Sequence, residues 1–141
     1  MVPNLSKNQK EAIKYHNQYR SKHLCGPISW DISLIERANN HAKYLASIDR
    51  VEHDKKTKDG ENIIVMKGGY LTGKAASTCW YNEFRNYNFD NPCFTPNAGH
   101  FTQLVWKGSK LFGYGVAKST KGTVYVVARY LPSGNVDDEF S

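Results

Sequence analysis

Two alternating apolar segments near the end of the chain limit its fold more than any other feature. The segments LFGYGVAK (residues 111–118) and TVYVVARYL (residues 123–131) are rich in β-branched and aromatic residues. The turn-forming residues Ser119-Thr120-Lys121-Gly122 separate them, which is the pattern of a β-hairpin. The chain before the hairpin shows helical spacing instead. Helices first and a hairpin last predict an α+β fold in which helices pack on an antiparallel sheet.

The first helical segment is predicted for residues 7–22. Ser6 and Gln9 form a capping-box pattern at its start. His16 and His23 belong to this helix or to its end, where surface or capping roles are usual for histidine.

Two further helices are predicted within residues 30–48 and over residues 73–87. Asp31 or Ser33 can cap the first of them, and Thr72 can cap the second. Apolar residues at helical spacing define the face that each helix buries. The predicted buried stripes are Leu34, Ala38, His41, Ala42 and Leu45 in one helix, and Ala76, Cys79, Trp80 and Phe84 in the other.

The segments between these helices and the hairpin are shorter. Residues 51–60, VEHDKKTKDG, are predicted to form a charged loop, and ENIIVMKGG (residues 61–69) holds an apolar run that is strand or extended chain. A short helix is predicted from near Asn97, and it carries His100.

Length and charge restrict the class of protein. The chain has 141 residues, the size of one domain, so a single domain over residues 1–141 is expected. No apolar run is long enough to span a bilayer. The net charge of +6 suits anionic partners, but the basic residues are scattered along the chain, and a solvated basic surface is the alternative. Nucleic acid is not expected as a partner because no helix-turn-helix, zinc-finger or RNA-binding motif is present. Anionic lipid is the better candidate.

The cysteine pattern favours reduced thiols. Cys25, Cys79 and Cys93 are an odd number of cysteines without a C-x-x-C pair, so a structural zinc finger is excluded. An odd count fits a reducing compartment, or one disulfide with a free thiol.

Acids and imidazoles are predicted to meet near the edge of the core. Helical spacing puts Glu83 beside the buried stripe of its helix, and Glu61 lies between a glycine and an apolar run. A carboxylate in such a position needs a partner, and histidine is a natural one. The spacing of His53 and His100 from these acids fits no short metal motif, and it leaves open which acid meets which imidazole. His41 is interpreted as a hydrogen-bonded core residue.

Five motifs carry a family resemblance, and together they cover nearly the whole chain. GHFTQLVWKGS and YVVARYLPSGNV resemble the two signatures of the CAP superfamily of cysteine-rich secretory, antigen 5 and plant pathogenesis-related proteins. DGENI, CWYNEF and HNQYR match further blocks of that family. The resemblance implies a three-layer α-β-α sandwich with a central antiparallel sheet and a cleft.

The resemblance also implies a site. The family's two histidines and two glutamates correspond to His53, Glu61, Glu83 and His100, and in relatives the histidines often hold a divalent metal, commonly zinc. Imidazole and carboxylate suit zinc. The alternative is a hydrogen-bonded tetrad that only braces the fold. Gln103 is expected to line the same cleft.

One departure indicates a branch of the family. Ala128 stands where secreted members usually carry cysteine, and the chain resembles the Golgi-associated plant pathogenesis-related branch, which is intracellular. That branch implies the cytosolic face of Golgi membranes and allows a homodimer. Val2 replaces the glycine needed for myristoylation. An extracellular location is the alternative if a leader was removed.

An aromatic segment adds a further expectation. Tyr87, Phe89 and Phe94 match the spacing of the caveolin-binding motif, and in some relatives this loop binds sterol. The alternative is a loop that packs on the core.

Three functions are compatible with these residues and with the resemblance. The first is a non-enzymatic module that binds lipid, sterol or a protein partner such as caveolin, with a metal or bracing site. The second is a metal-dependent hydrolase in which Glu61 or Glu83 acts as general base. No G-x-S-x-G motif supports an enzyme with a serine nucleophile. The third is a secreted defence or venom-like protein.

Overall fold

The computed structural model describes residues 4–69, 71–86 and 98–135, which form both helices and strands. The helices are α1 (Lys7–Lys22), α2 (Ile32–Ile48), α3 (Gly73–Tyr81) and α4 (Gly99–Leu104), with a 3-10 helix over Asn82–Asn86. The strands are β1 (Ser29–Trp30), β2 (Gly60–Lys67), β3 (Leu111–Lys118) and β4 (Thr123–Leu131).

The strands form one sheet in the order β1-β3-β4-β2. The predicted hairpin is confirmed, because β3 pairs antiparallel with β4, and β4 pairs antiparallel with β2. The sheet is nevertheless mixed, because β1 pairs parallel with β3. The sequence did not reveal β1 because two residues are too few to show alternation.

Side chains on opposite faces of the sheet enter two separate cores, which is the period-two alternation of a strand. One core lies between the sheet and α1, α3 and α4, and the other lies between the sheet and α2. The predicted three-layer α-β-α sandwich is confirmed. Buried members of the first core are Ala12, Ile28, Leu71, Ala76, Trp80, Leu104, Phe112, Tyr114, Val124, Val126, Ala128 and Tyr130. Those of the second are Ala38, Ala42, Leu45, Ile63, Tyr125 and Val127.

Glycine allows α2 to lie close against the sheet. A Cβ atom on Gly113 would collide with the backbone of Leu34, and one on Gly115 would collide with the backbone of Asn39. The helix and the strand are therefore nearer to each other than side chains at these two positions would permit.

The predicted helix starts are confirmed. The Ser6 hydroxyl accepts from the Gln9 backbone N–H, and the Gln9 side chain accepts from the Ser6 N–H. Asp31, not Ser33, caps α2 by accepting from Leu34, and Thr72 caps α3 by accepting from Ala75.

The predicted third helix is wrong in two respects. The α-helix ends at Tyr81, and the chain continues as a 3-10 helix to Asn86. Cys79 is exposed, whereas Ser77 is fully buried. A hydrophobic pattern favours cysteine over serine in the core, but Ser77 is stabilised there by hydrogen bonding to His16, 2.9 Å away.

The surface or capping role predicted for His16 is also wrong. His16 is fully buried, and its Nδ1 lies 2.9 Å from the Ala12 carbonyl oxygen while its Nε2 lies 2.6 Å from the Tyr130 hydroxyl. Burial lowers the pKa of His16 to about 3, so the ring is neutral. Two of its partners, Ser77 and Tyr130, lie on α3 and β4, and helical spacing within α1 does not reveal them.

Cys25 and Cys79 are free thiols, in agreement with the expectation of reduced cysteines. Cys93 lies outside the described residues.

A buried arginine ties α1 to the chain after α4. The guanidinium of Arg20 donates to the carbonyl oxygens of Gly26, Leu104, Trp106 and Ser109 at 2.8–3.1 Å. These contacts hold the end of α4 against the first core.

Candidate functional site

The four predicted site residues form two histidine–glutamate pairs. Nδ1 of His53 lies 2.7 Å from Oε1 of Glu61, and Nδ1 of His100 lies 2.7 Å from Oε2 of Glu83. The structure thus decides which acid meets which imidazole, a question that residue spacing left open.

The His53–Glu61 pair joins an irregular segment to the sheet. His53 lies between α2 and β2, where the predicted charged loop is confirmed, and its side chain is 59% exposed. Glu61 is the second residue of β2, and its side chain is 6% exposed. The Asp54 backbone N–H donates to the same Glu61 oxygen at 3.2 Å. One carboxylate oxygen therefore holds two consecutive residues of the loop.

A buried arginine compensates the charge of Glu61. Arg129 is the register partner of Glu61 in β4, and one of its nitrogens lies 2.8 Å from Glu61 Oε2. This contact is an ion pair without the alignment of a hydrogen bond. The guanidinium also contacts Asp59 at 3.1 Å and Asp54 at 3.2 Å, and Arg37 contacts Asp59 through two hydrogen bonds. Sequence reasoning missed Arg129, although a charged residue at an inward position of an alternating strand is a recognisable signal.

Charges in this cluster shift the ionisation of its members. The hydrogen bond to Glu61 raises the pKa of His53, and burial and Arg129 oppose that shift. The backbone hydrogen bond from Lys56 lowers the pKa of Asp54. Burial opposes ionisation of Asp59, but hydrogen bonds from Arg37 and Arg129 outweigh it and lower the pKa of that carboxyl.

The His100–Glu83 pair stands at the start of α4. Besides the imidazole, Glu83 accepts the backbone N–H of His100 at 3.0 Å and that of Phe101 at 3.4 Å. Ala98, the N-cap residue, has no side chain that could do this. Glu83 therefore satisfies N–H groups that a helix start leaves unpaired, and its negative charge suits the helix dipole.

Asn62 connects the two histidine–glutamate pairs, because it is next to Glu61 in the chain and its side chain reaches the backbone of His100. It follows Glu61 in β2, and its amide donates to the His100 carbonyl oxygen at 3.1 Å and to the Tyr130 hydroxyl at 3.2 Å. Tyr130 in turn contacts the buried His16. The start of α4 is thus connected to α1 through buried polar side chains.

Gln103 lies in the interior. Its Oε1 accepts from the Gly134 backbone N–H at 3.0 Å, and its Nε2 donates to the Ser109 hydroxyl at 3.2 Å. The Gln103 amide thus connects the segment before β3 to the segment after β4.

The chemistry of the two pairs suits metal binding. A carboxylate that accepts from Nδ1 leaves Nε2 as the atom with the lone pair, which is how histidine commonly binds zinc. Among the described residues, neither His53 nor His100 makes a hydrogen bond through Nε2. In that part of the chain, no three histidine, cysteine, aspartate or glutamate side chains are grouped to share a metal ion.

A cavity of about 240 Å³ lies beside the first pair. It is lined by Arg37, Asn40, His41, Tyr44 and Asp54. His41 is buried, and its Nε2 contacts the Glu52 carbonyl oxygen at 2.7 Å, which confirms the interpretation of a hydrogen-bonded core residue.

The aromatic residues Tyr87, Phe89 and Phe94 lie outside the described residues. In the described chain, none of the helices combines the length and apolar character that crossing a bilayer requires.

Known proteins resemble this chain in sequence and in fold. The sequence profile of the CAP family, the cysteine-rich secretory protein family, matches residues 13–130. Human Golgi-associated plant pathogenesis-related protein 1 is 39% identical over 131 residues, with 92% of this chain and 85% of that protein covered. Arabidopsis thaliana pathogenesis-related protein 1 is 36% identical over 128 residues, with coverage of 91% and 78%. The crystal structure of NaASP2 with Zn2+ matches with a TM-score of 0.76 at 23% identity, covering 94% and 83%. This last likeness shows the fold alone.

Proposed function

This chain belongs to the CAP family of cysteine-rich secretory proteins, and from that premise we propose that it is a non-enzymatic binding module. It takes up a divalent cation at its two histidine–glutamate pairs and attaches to anionic lipid at a membrane. The observation that carries the proposal is that each imidazole is bound to a carboxylate through Nδ1.

Zinc is the cation that the donors suit best. His53 and His100 would hold it, and Glu61 and Glu83 would orient the two rings. The imidazoles are open to solvent, with side chains 59% and 35% exposed, so an ion can reach both. Zinc bound here would supply a Lewis-acidic centre.

The carboxylates support a binding role better than a hydrolytic one. Glu61 accepts from His53 and from the Asp54 backbone, and it faces Arg129. Glu83 accepts from His100 and from two backbone N–H groups. A general base must be free to take a proton from a substrate or a water. Both carboxylates are instead engaged in holding the structure.

Charge supports the lipid part of the proposal. The chain carries a net charge of +6, and within the described residues no lysine takes part in an ion pair. Anionic lipid attracts such a surface. The human relative that is named as Golgi-associated supports Golgi membranes as the location, and an extracellular location stays the alternative.

Calorimetric titration with zinc at neutral pH tests the metal site. We expect the parent protein to bind zinc and the double variant His53→Ala/His100→Ala to lose that binding. His23→Ala is the matched control, because His23 contacts the Tyr81 hydroxyl at 3.0 Å, outside both pairs. Equal zinc affinity of the parent and the double variant would contradict the site. No zinc binding by the parent would leave the four residues a brace for the fold.

A further inference from the structure

The seam between α1 and α3 presents lysines against tyrosine rings. The Lys14 and Lys74 ammonium nitrogens lie 5.5 Å and 5.3 Å from the centroid of the Tyr15 ring. The Lys22 nitrogen lies 5.7 Å from the centroid of Tyr19. All three distances fall within the range of a cation–π contact. We call this surface the lysine–tyrosine face, and it consists of Lys14, Tyr15, Tyr19, Lys22, Lys74 and Tyr81.

Stacking and hydrogen bonding hold this face in place. The Tyr19 ring lies parallel to the Tyr81 ring, with centroids 4.0 Å apart and planes 6° from parallel. The Tyr19 hydroxyl contacts the Thr78 hydroxyl at 2.7 Å. These contacts join α1 to α3, so the lysines project from a surface that both helices define.

The charge of the face is uncompensated. The two helices carry five lysines, four in α1 and one in α3, and a single glutamate, Glu11. That carboxylate accepts the Lys74 backbone N–H at 3.2 Å. None of the five lysines forms an ion pair with any residue that the structure describes. The face therefore complements a negatively charged partner.

An apolar residue stands at the end of the same helix. Leu24 follows α1 and is 89% exposed, in a left-handed backbone conformation with φ of 59°. Tyrosine and exposed leucine beside lysine are typical of surfaces that enter the boundary between headgroups and acyl chains. An acidic peptide would use the lysines but has no need of an exposed leucine.

We propose that the lysine–tyrosine face and Leu24 form the surface by which this protein docks on an anionic lipid bilayer. The lysines contact the headgroups, and Leu24 enters the boundary region. This inference rests on the proposed membrane attachment and names the part of the molecule that carries it.

Vesicle binding by variants compares the lysine–tyrosine face with the rest of the protein surface. The probe is phosphatidylcholine vesicles with phosphatidylserine at about 3:1, with pure phosphatidylcholine as blank. At about 1 kcal/mol per lysine, Lys14→Gln/Lys22→Gln/Lys74→Gln should weaken partitioning about 100-fold. The matched control is Lys43→Gln/Lys55→Gln/Lys56→Gln, which removes the same charge from α2 and the loop after it, on the opposite side of the sheet. We expect the control to stay within about threefold of the parent.

The variant Leu24→Asn distinguishes binding to a bilayer from binding to a soluble polyanion. Asparagine tolerates the left-handed conformation, so the fold should persist with an unchanged thermal midpoint. We expect about a tenfold loss of vesicle binding, because an apolar side chain no longer enters the membrane. Undiminished vesicle binding by this variant, with tight binding of soluble polyglutamate by the parent, would identify an acidic polypeptide and overturn the docking surface.

The outcomes separate the two proposals. Equal losses in the two triple variants would overturn the lysine–tyrosine face while leaving membrane attachment intact. Failure of the parent protein to bind the anionic vesicles would overturn both.

Discussion

The two histidine–glutamate pairs share the same 2.7 Å hydrogen bond, but different contacts support them. Glu61 lies beneath an exposed loop and is compensated by the buried Arg129. Among the described residues Glu83 has no such cation, and it is held by the backbone N–H groups that open α4. The comparison shows that the same local geometry can rest on charge compensation in one case and on helix capping in the other. Mutations that leave the imidazoles untouched should therefore affect the two pairs differently.

The largest expected effect on the free energy of unfolding comes from removing Arg129, the cation that compensates Glu61. Arg129→Ala leaves the side chains of Asp59 and Glu61, 4% and 6% exposed, without their shared cation. Removing one partner of a buried ion pair costs about 3–5 kcal/mol in the free energy of unfolding. Urea denaturation measures the loss. Arg50→Ala is the control, because Arg50 pairs with Glu52 at the exposed surface, and its loss should cost less than about 1 kcal/mol. Similar losses for both arginines would show that Arg129 does not support the His53–Glu61 pair through its buried charge. The contrast with the His100–Glu83 pair would then no longer hold.

A smaller effect is expected at Glu83. Glu83→Ala removes the side chain that accepts the N–H groups of His100 and Phe101, so the free energy of unfolding should fall by about 1–2 kcal/mol, as for other helix caps. Hydrogen exchange should show faster exchange at these two amides. Glu36→Ala, at an exposed position of α2, is the matched control. Protection of both amides in the Glu83 variant would show that capping does not support this pair.

The smallest expected effect is a dependence of the free energy of unfolding on pH. Glu61 raises the pKa of His53 in the folded state above its usual value of about 6.5. Protonated His53 therefore stabilises the fold fully below about pH 6.5, and this contribution is lost as pH rises through the folded pKa. The difference in unfolding free energy between parent and His53→Ala, measured with a chelator present, should shrink with rising pH.

His23 provides a control of opposite sign. Burial lowers the pKa of His23, so its contribution to stability is present at higher pH and is lost as pH falls. The difference between parent and His23→Ala should therefore grow with rising pH. A flat or rising profile for His53→Ala would contradict the role of Glu61 in that pair.

Much of the architecture could be predicted from local patterns. Period-two alternation identified β3 and β4, and helical spacing identified α1 and α2 with their caps and the buried face of α2. The family, confirmed by the match over residues 13–130, then supplied the three layers. These predictions succeed because each depends on neighbours in sequence or on motifs that cover most of the chain.

Local patterns were insufficient where a polar residue is buried by distant partners. His16 and Ser77 are 61 residues apart, and their hydrogen bond makes both suitable for the core. Cys79 was wrongly placed in that core because hydrophobicity alone ranked it above Ser77. Burial of a polar group depends on whether a partner reaches it, and spacing within one helix does not contain that information.

By itself, the sequence determined the α+β class and the buried face of α2, and its family motifs pointed to the four residues of the candidate site. Only the tertiary structure decided that His53 meets Glu61 and His100 meets Glu83. It alone placed Arg129 beneath one pair and the N–H groups of α4 around the other. The physical reason is that secondary structure follows from short-range periodicity, whereas a carboxylate's partners are set by which layers of the sandwich come together.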